Sequence, residues 1–214
     1  MGVSSGEPFA AVVLAGGRAR RMGGVAKPAR TVGGVPLLAR VLAAVPGADP
    51  RVVVGPADLA ALVPPGVRLT IETPPGAGPV AATAAGLAAL GRHPPAGTVA
   101  VLAADLPFLS AAVLDALRRA LHADHTRDGA IVVDAAGRVQ WLCGVWRTAA
   151  LQARLAVLGG GADQAALAGL SMRQLLTDLA AVQVPPPATA PAWFDCDTEE
   201  DLRQAEELAR GDVG

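Results

Sequence analysis

The sequence predicts an α/β fold in which a mostly parallel, Rossmann-like sheet carries helices on both faces. Short, continuous apolar runs alternate with amphipathic stretches along the chain. Because these runs have no polar side, they are typical of strands that are buried on both faces of a sheet. Clusters of glycine and proline separate the two kinds of segment, and strands that alternate with helices favour a parallel sheet with helical crossovers.

The first half of the chain is predicted to form a βαβαβ unit. Proline suits the first turn of a helix, so a helix is expected to begin at Pro36. A later, alanine-rich helix follows the glycine- and proline-rich stretch TPPGAGP. The predicted elements are, in order, strand 10–15, helix 36–45, strand 52–54, short helix 58–63, strand 67–72, a helix that ends near Leu90, and strand 98–103.

The second half of the chain also alternates strands and helices, and several helices have recognisable starts. Ser110 is predicted to cap one helix, and Ser171 with Gln174 has the spacing of a capping box. Thr198 and Asp201 have the same spacing at the start of the last helix. The predicted elements are helix 110–122, strands 130–134 and 139–145, helices 148–158 and 171–179, strand 182–184, and helix 198–210.

Length and composition limit the class of protein. A chain of 214 residues suits one domain, which we expect to cover residues 8–210, with 1–7 and 211–214 as flexible tails. A net charge of −1 gives no support to nucleic-acid binding. No apolar run is long enough to span a bilayer and no signal peptide is recognisable, so we expect no membrane association.

Cysteine and histidine usage indicates neither a disulfide framework nor a zinc site. Cys143 and Cys196 lie far apart and have no CxxC partner. The three histidines are scattered and complete no metal-binding pattern. We therefore expect a protein of the reducing cytoplasm.

One stretch, residues 11–28 (AVVLAGGRARRMGGVAKP), has the composition of a phosphate-binding loop. A short apolar strand ends at Gly16 and Gly17, and three arginines, two more glycines and Lys27 follow. Glycine lets backbone N–H groups approach phosphate oxygens, and the cations neutralise them. The spacing matches neither the Walker loop nor GxGxxG, so the glycines alone also fit a tight surface turn.

Lys27 is the only lysine of the chain, and every other permanent side-chain cation is arginine. Tyrosine and asparagine are absent too, which indicates a genome that avoids AT-rich codons. A lysine retained under such a bias indicates a site where a compact ammonium works and a planar guanidinium is too large. The alternative is the chance survival of one lysine.

These residues resemble the signature of nucleotidyltransferases of the molybdenum cofactor guanylyltransferase (MobA) type, which runs roughly LAGGxxxRMGxDK. The chain has LAGG at 14–17, RMGG at 21–24 and then Lys27. It departs from the pattern at Ala26, where the family usually has an acid that could orient the lysine or support the loop. The resemblance implies a single nucleotidyltransferase domain of Rossmann-like fold.

The resemblance also implies roles within the loop. Lys27, together with Arg18 or Arg21, would stabilise the leaving pyrophosphate. Four consecutive residues would contact the nucleotide through their backbone: Leu14, Ala15, Gly16 and Gly17.

Asp105 follows the predicted strand 98–103, in the sequence AVLAADLPFLS. Charged residues rarely end a core strand unless they are paired or hold a metal ion. The alternative is a turn or helix-capping aspartate before Pro107. The stretch DLPF resembles the family's D-x-P-F motif. The resemblance implies that Asp105 holds Mg²⁺ on the nucleotide phosphates, and Mg²⁺ commonly takes one or two carboxylates. Since the carboxyl ends of parallel strands share an edge, we expect Asp105 and the glycine-rich loop to lie together.

A second acidic motif, Asp195-Cys196-Asp197, precedes the last helix. Alternate side chains of an extended segment point to the same face, so the two carboxylates would repel each other without a cation or donors between them. The resemblance implies that Asp197 lies near the metal ion, with Asp195 in a structural role. The alternative is that Asp197 only begins the helix, where negative charge is favourable.

Glu72 and the loop 76–79 form the next candidate. In the family, an acid followed by a G-P-x-A-G-type loop lies over the base and ribose, which implies nucleotide contacts for Glu72 and Gly78. Glu72 could accept the N1–H and N2–H donors of guanine and so prefer guanine over adenine. The family residue is usually Asp, and the alternative for the loop is a plain strand-to-helix turn.

The acceptor side is less well marked. Trp141 or Trp146 could stack on a flat pterin, but both also fit the core of one strand. Arg173, in the family-like stretch SMRQLL, could reach a phosphate of the acceptor. On its own, Arg173 fits a solvated arginine.

The function that the resemblance implies is transfer of GMP from GTP to molybdopterin, which gives the guanine dinucleotide cofactor and pyrophosphate. Lys27, Arg21 and Asp105 would be the catalytic residues, and Asp105 and Asp197 would hold Mg²⁺. The resemblance leaves room for transient contact with molybdenum-insertion or acceptor proteins. The alternatives are cytidylyl transfer to the pterin, transfer to a sugar phosphate, and a nucleotide-binding protein that has lost turnover.

Overall fold

A seven-stranded sheet is the framework of the structure, a computed structural model that describes residues 7–16, 26–91, 97–160, 164–185 and 193–211. The strands of this sheet and of a separate hairpin are β1 (Phe9–Leu14), β2 (Thr31–Val32), β3 (Val35–Pro36), β4 (Ala48–Val54), β5 (Val67–Thr70), β6 (Thr98–Ala103), β7 (Gly129–Val133), β8 (Val139–Arg147) and β9 (Ala181–Val184). The α-helices are α1 (Leu37–Ala43), α2 (Pro79–Leu90), α3 (Ala111–Ala123), α4 (Thr148–Leu158), α5 (Met172–Leu176) and α6 (Glu199–Gly211). Short 3₁₀ helices cover Lys27–Ala29, Ala57–Leu62 and Gln164–Leu167.

The order of strands in the sheet is β5-β4-β1-β6-β8-β7-β9. Strands β5, β4, β1 and β6 are parallel neighbours, and β7 and β9 are parallel too, so the prediction of a mostly parallel sheet is confirmed. From β1 the chain adds β4 and β5 on one side and then returns to add β6 on the other. This switch point, between β1 and β6, is where open α/β sheets bind ligands, beyond the carboxyl ends of the strands.

Within the described sheet, β8 is the strand that runs antiparallel to its neighbours, β6 and β7. The turn between β7 and β8 explains one of these pairings. Asp134 accepts hydrogen bonds from the backbone N–H groups of Ala136 (2.9 Å) and Arg138 (2.8 Å), which closes a tight connection. Two strands joined by so short a turn must be antiparallel.

The sequence does not predict the β2–β3 hairpin. Each of its strands has two residues, too few to show an alternating pattern. The turn itself is visible as Gly33-Gly34, and both glycines have positive φ angles (57° and 75°). Two consecutive residues with positive φ are typical of a two-residue hairpin loop.

Both faces of the sheet are covered at its centre, because all six residues of β1 are buried. Helix α2 lies very close to β1 and β4. A Cβ atom on Gly86 would lie 2.4 Å from Cγ1 of Val12 and 3.0 Å from Cγ2 of Val54, so the approach depends on the missing side chain. This packing fixes the N-terminal end of α2, which follows Gly78, against the carboxyl end of the sheet.

The observed elements follow the predicted ones, with shifts at several ends. Helix α1 starts later than predicted, because Pro36 precedes it as the N-cap. The capping boxes that begin at Ser171 and Thr198 are confirmed by reciprocal hydrogen bonds. Ser110 occupies the N-cap of α3, but its side chain makes no capping hydrogen bond.

The limits of the domain at residues 8 and 210 remain a prediction. Residues 1–6 and 212–214, which make up most of the two predicted tails, lie outside the described residues. Among the helices that the structure describes, none is both long enough and apolar enough to cross a membrane.

Candidate active site

The candidate active site lies beyond the carboxyl ends of β1, β4 and β6. Backbone hydrogen bonds continue the pairing of these strands past their last residues. Ala15 N–H donates to the carbonyl oxygen of Val54 (2.8 Å), and Ala104 N–H donates to that of Leu14 (3.0 Å). The chain therefore leaves β1 and β6 side by side, and Asp105 comes next after β6.

Lys27 lies at this edge, in the 3₁₀ turn Lys27–Ala29, and only 6% of its surface is exposed. Its Nζ is 2.6 Å from Oδ2 of Asp105, and it also donates a hydrogen bond to Oδ1 of Asp197. The side chains of Asp105 and Asp197 are 22% and 68% exposed. The ion pair with Asp105 is therefore shielded, whereas water screens the pair with Asp197.

Mutual contact shifts the pKa values in this cluster. Burial on its own lowers the pKa of Lys27, but the charge of Asp105 and hydrogen bonds to Asp105 and Asp197 raise it above its usual value overall. The hydrogen bond from Lys27 lowers the pKa of Asp197. Burial and the charges of Asp197 and Asp105 raise the pKa of Asp195. At neutral pH, Lys27 and Asp197 are consequently a charged pair.

A small second core positions Asp197 beside Lys27. It joins the β2–β3 hairpin to α1 and α6 through five buried residues: Val32, Leu37, Cys196, Leu202 and Ala205. The backbone N–H of Cys196 donates to the carbonyl oxygen of Asp105 (3.2 Å). Arg30 donates two hydrogen bonds to the carboxylate of Glu199 (2.7 and 2.6 Å), which ties the Lys27 turn to the start of α6.

Glu72 is a buried carboxylate near Gly16. It lies in a loop, because β5 ends at Thr70, earlier than predicted. Only 3% of the surface of Glu72 is exposed. Its Oε1 accepts a hydrogen bond from the backbone N–H of Gly76 (2.8 Å), while Oε2 is buried without a hydrogen-bond partner among the described residues. A Cβ atom on Gly16 would lie 3.8 Å from this Oε2. A buried carboxylate oxygen without a partner is costly unless a ligand satisfies it.

Two small clefts share Glu72 as a lining residue. The first, of about 180 Å³, has Lys27 on one side. Residues that come after β4 and β5 in the chain form its apolar wall: Gly55, Pro56, Leu59, Ile71 and Pro75. The second, of about 190 Å³, lies between Glu72, Asp105 and Gly78. An apolar slot with one buried carboxylate suits a flat base that offers N–H donors.

Sequence reasoning misses the residues that follow β4. Gly55 and Pro56 carry no charge or reactive group, so residue type does not mark them. The rule that joins Asp105 to the glycine-rich loop, that parallel strands end at one edge, applies equally to β4. That positional signal could have found both residues.

The glycine-rich loop is described only at its two ends. Three of its predicted site residues lie outside the described residues: Gly17, Arg18 and Arg21. Ala26, which replaces the usual acid, is described and directly precedes Lys27. The substitution does not leave Lys27 without an acid to orient it, because Asp105 and Asp197 both contact its Nζ.

The two tryptophans of β8 lie toward opposite ends of that strand. Trp146 pairs with Val99 near the start of β6 and is 1% exposed, so it belongs to the core, far from the carboxyl end of β6. Trp141 is partly buried and lies beyond Cys143, which pairs near the end of β6, so it is on the side of Asp105. Arg173 is exposed on α5.

Asp105 has one oxygen to spare. Its Oδ1 is buried without a hydrogen-bond partner in the described part of the chain, while Oδ2 contacts Lys27. Across the described ranges, no three His, Cys, Asp or Glu side chains are arranged to hold a metal ion by themselves. The carboxylates of Asp105 and Asp197 fit Mg²⁺, which keeps several waters and binds through one or two carboxylates together with substrate phosphates.

A Rossmann-like sheet whose switch point carries Gly16, a buried lysine and two aspartates has the architecture of a nucleotidyltransferase. The chain belongs to the MobA-like NTP transferase family, because the model of that domain matches residues 11–181. It is also 33% identical over 205 residues to a molybdenum cofactor guanylyltransferase of Bradyrhizobium sp. (strain ORS 278), a match that covers 92% of each chain. The protein is therefore an enzyme of the nucleotidyltransferase class.

Solved structures show the same fold. Molybdopterin-guanine dinucleotide biosynthesis protein A from Archaeoglobus fulgidus superimposes with a TM-score of 0.68 at 22% identity, covering 94% of this chain and 98% of that one. A 4-diphosphocytidyl-2C-methyl-D-erythritol synthase from Anaerococcus prevotii gives the same TM-score at 16% identity, covering 97% and 98%. The first name contains guanine and the second contains cytidyl, so the shared fold does not show which nucleotide this chain binds.

Proposed function

We propose that the protein transfers GMP from GTP to molybdopterin in the cytoplasm, giving the guanine dinucleotide form of molybdenum cofactor and pyrophosphate. The observation that carries this proposal is the meeting of Lys27 with Asp105 and Asp197 at the switch point, beside the buried Glu72. The 33% identity to a molybdenum cofactor guanylyltransferase supports the choice of substrates. Two free, buried cysteines suit a reducing compartment.

The proposed reaction replaces one phosphate link by another. An oxygen of the pterin's terminal phosphate forms a bond to the α-phosphorus of GTP. The bond from that phosphorus to the bridging oxygen breaks, and pyrophosphate leaves with the electron pair. Such chemistry needs positioning and charge neutralisation more than proton transfer. Lys27 and Arg21 supply positive charge for the leaving pyrophosphate, and backbone groups of residues 14–17 hold the nucleotide.

Asp105 and Asp197 are the proposed ligands of Mg²⁺. MobA-like nucleotidyltransferases generally use a divalent metal ion, and the buried, unpaired Oδ1 of Asp105 offers a ligand. When bound, Mg²⁺ neutralises phosphate charge and polarises the phosphoryl group that is attacked. Asp105 offers a carboxylate fixed at a strand end, and Asp197 offers an exposed one from the segment before α6.

The acceptor is proposed to lie on the side of β8. Trp141 is the tryptophan of β8 at the carboxyl end of β6, so it is the one that could stack on the pterin. Arg173 is exposed and available for a phosphate of the acceptor. Transient contact with molybdenum-insertion or acceptor proteins would deliver or remove the pterin at this side.

GTP should bind more tightly than ATP, CTP or UTP in the presence of Mg²⁺. Guanine offers N1–H and N2–H donors side by side, and Glu72 has a free, buried oxygen to accept from them. A hydrogen bond to a charged group contributes about 1.5–3 kcal/mol, so the preference should be about tenfold or more. Calorimetric titration with the four nucleotides measures it. Equal or tighter binding of CTP would contradict the guanylyl assignment and favour cytidylyl transfer.

Glu72→Gln separates base recognition from phosphate binding. Glutamine keeps an oxygen for the N–H of Gly76 but replaces the free carboxylate oxygen by an N–H₂ group. The affinity for GTP should fall toward that of the other nucleotides, while their affinities stay unchanged. The matched control, Glu207→Gln, neutralises an exposed carboxylate of α6 and should leave all four affinities as they are.

A further inference from the structure

The ammonium of Lys27 lies between the two carboxylates that the proposed metal ion requires. We propose that Lys27 is a placeholder cation, which keeps divalent metal ions off Asp105 and Asp197 until the phosphates of a nucleotide draw it away. Metal ion and nucleotide then bind together rather than one after the other. This inference rests on the proposed metal role of the two aspartates.

The contacts of Lys27 put its ammonium in competition with a metal ion. Its Nζ touches Oδ2 of Asp105 at 2.6 Å and Oδ1 of Asp197, so one oxygen of each carboxylate is already engaged by a cation. A metal ion that used both aspartates would have to take at least one of these oxygens or approach an ammonium closely. Either way, the bound ammonium and the metal ion compete.

Burial and charge explain why the placeholder is needed. Two carboxylates held this close repel each other unless a cation lies between them. Among the described residues, Lys27 is the cation that contacts both carboxylates. If it left without a replacement, Oδ2 of Asp105 would lose this partner, and Oδ1 of the same carboxylate is already buried without one. The aspartates therefore retain the ammonium until another cation replaces it.

Lys27 can move without disturbing the fold. Its backbone is fixed in the 3₁₀ turn, where Ala29 N–H donates to Ala26 O (2.9 Å) and Arg30 N–H donates to Lys27 O (3.0 Å). The ammonium is carried on a flexible four-carbon stem. A swing of the side chain alone can thus transfer the ammonium from the carboxylates to an incoming phosphate.

The exchange keeps a cation beside the carboxylates at every stage. Before binding, one positive charge faces two carboxylates. After binding, a doubly charged ion faces the same carboxylates, and the ammonium faces the phosphates, which bring their own negative charge. Neither the metal ion alone nor the nucleotide alone completes this exchange.

The side-chain ¹⁵N resonance of Lys27 tests the inference in the wild-type enzyme. Lys27 is the only lysine, so ¹⁵N-lysine labelling gives a single ammonium signal. We expect no change with millimolar Mg²⁺ alone, and a clear shift when Mg²⁺ is added with α,β-methylene GTP, which cannot transfer its nucleotide. A signal that moves with Mg²⁺ alone, or that stays in place in the ternary complex, would overturn the inference.

Lys27→Met gives a second readout. Methionine fills the space without charge, so Mn²⁺ affinity in the absence of nucleotide, measured by the loss of the free Mn²⁺ EPR signal, should rise by about tenfold or more as the competing ammonium is removed. Arg203→Met removes one positive charge from the surface of α6 and should leave the affinity unchanged. Equal Mn²⁺ affinity in wild type and a folded Lys27→Met variant would contradict the placeholder role.

Two controls distinguish failure of this inference from failure of the proposed function. Adding Asp105→Asn to Lys27→Met should remove the gain in Mn²⁺ affinity; if the gain persists, the metal assignment is wrong. Absence of GTP binding to the wild-type protein by calorimetry would contradict the proposed function itself. If both controls give the expected result and the ¹⁵N signal does not shift, only the placeholder role fails.

Discussion

Asp105→Asn is expected to lower kcat/KM for GMP transfer by more than about a hundredfold, since a metal ion contributes several kcal/mol of charge stabilisation to such a reaction. Asparagine has the same shape but cannot neutralise a cation. The substitution replaces one carboxylate oxygen by an N–H₂ group and removes the negative charge, so the shielded ion pair with Lys27 and the charged ligand for a metal ion are both lost. Steady-state kinetics over a range of Mg²⁺ concentrations measure the loss.

The matched control for this variant is Asp115→Asn. Asp115 is 46% exposed and pairs with Arg118 on α3 (3.6 Å), so its replacement removes a carboxylate outside the described site. Its activity should stay near that of the wild type. If Asp105→Asn also kept a near-normal rate at limiting Mg²⁺, the metal role of Asp105 would be wrong.

Lys27→Arg is expected to damage catalysis nearly as much as Lys27→Ala. Position 27 is 6% exposed and lies against two aspartates, so a broad, planar guanidinium has little room. Guanidinium also prefers bidentate pairing with carboxylates, which would hold the substituted side chain on Asp105 rather than on a phosphate. A misplacement of about 1 Å can cost on the order of a hundredfold in rate.

The kinetic test compares kcat/KM of both variants with GTP and the pterin, after their folding has been checked. Arg119→Lys, an exchange of cations at an exposed position of α3, is the control and should behave like the wild type. An arginine variant within about threefold of the wild type would mean that position 27 needs only positive charge. The single lysine would then be no sign of a site that excludes arginine.

Much of the fold could be predicted from sequence because its signals are local. Continuous apolar runs mark β1, β6 and the buried end of β4 at 52–54. The capping boxes at Ser171 and Thr198 are recognised by a spacing of three residues. The rule that parallel strands end at one edge predicts, without any coordinates, that Asp105 lies near Gly16 at the start of the glycine-rich loop. The antiparallel orientation of β8 is harder to predict from sequence, because it depends on which strands β8 pairs with.

The contacts within the site could not be predicted, because they join distant parts of the chain. Lys27 and Asp197 are 170 residues apart in sequence, and Arg30 and Glu199 are 169 apart. What brings them together is a second core that includes Cys196, a residue that sequence reasoning treats only as an unpaired cysteine. The sequence thus predicts candidate site residues, and tertiary packing decides which of them are in contact.

Pyrophosphate release is the most direct test of guanylyl transfer to the pterin, on which the roles proposed for all these residues depend. Each of the four nucleoside triphosphates is incubated with the enzyme and Mg²⁺, with and without molybdopterin, and pyrophosphate is measured. We expect release with GTP and molybdopterin together, and little with GTP alone or with the other three nucleotides. Release with CTP and molybdopterin, or nucleotide binding without any pyrophosphate release, would contradict guanylyl transfer.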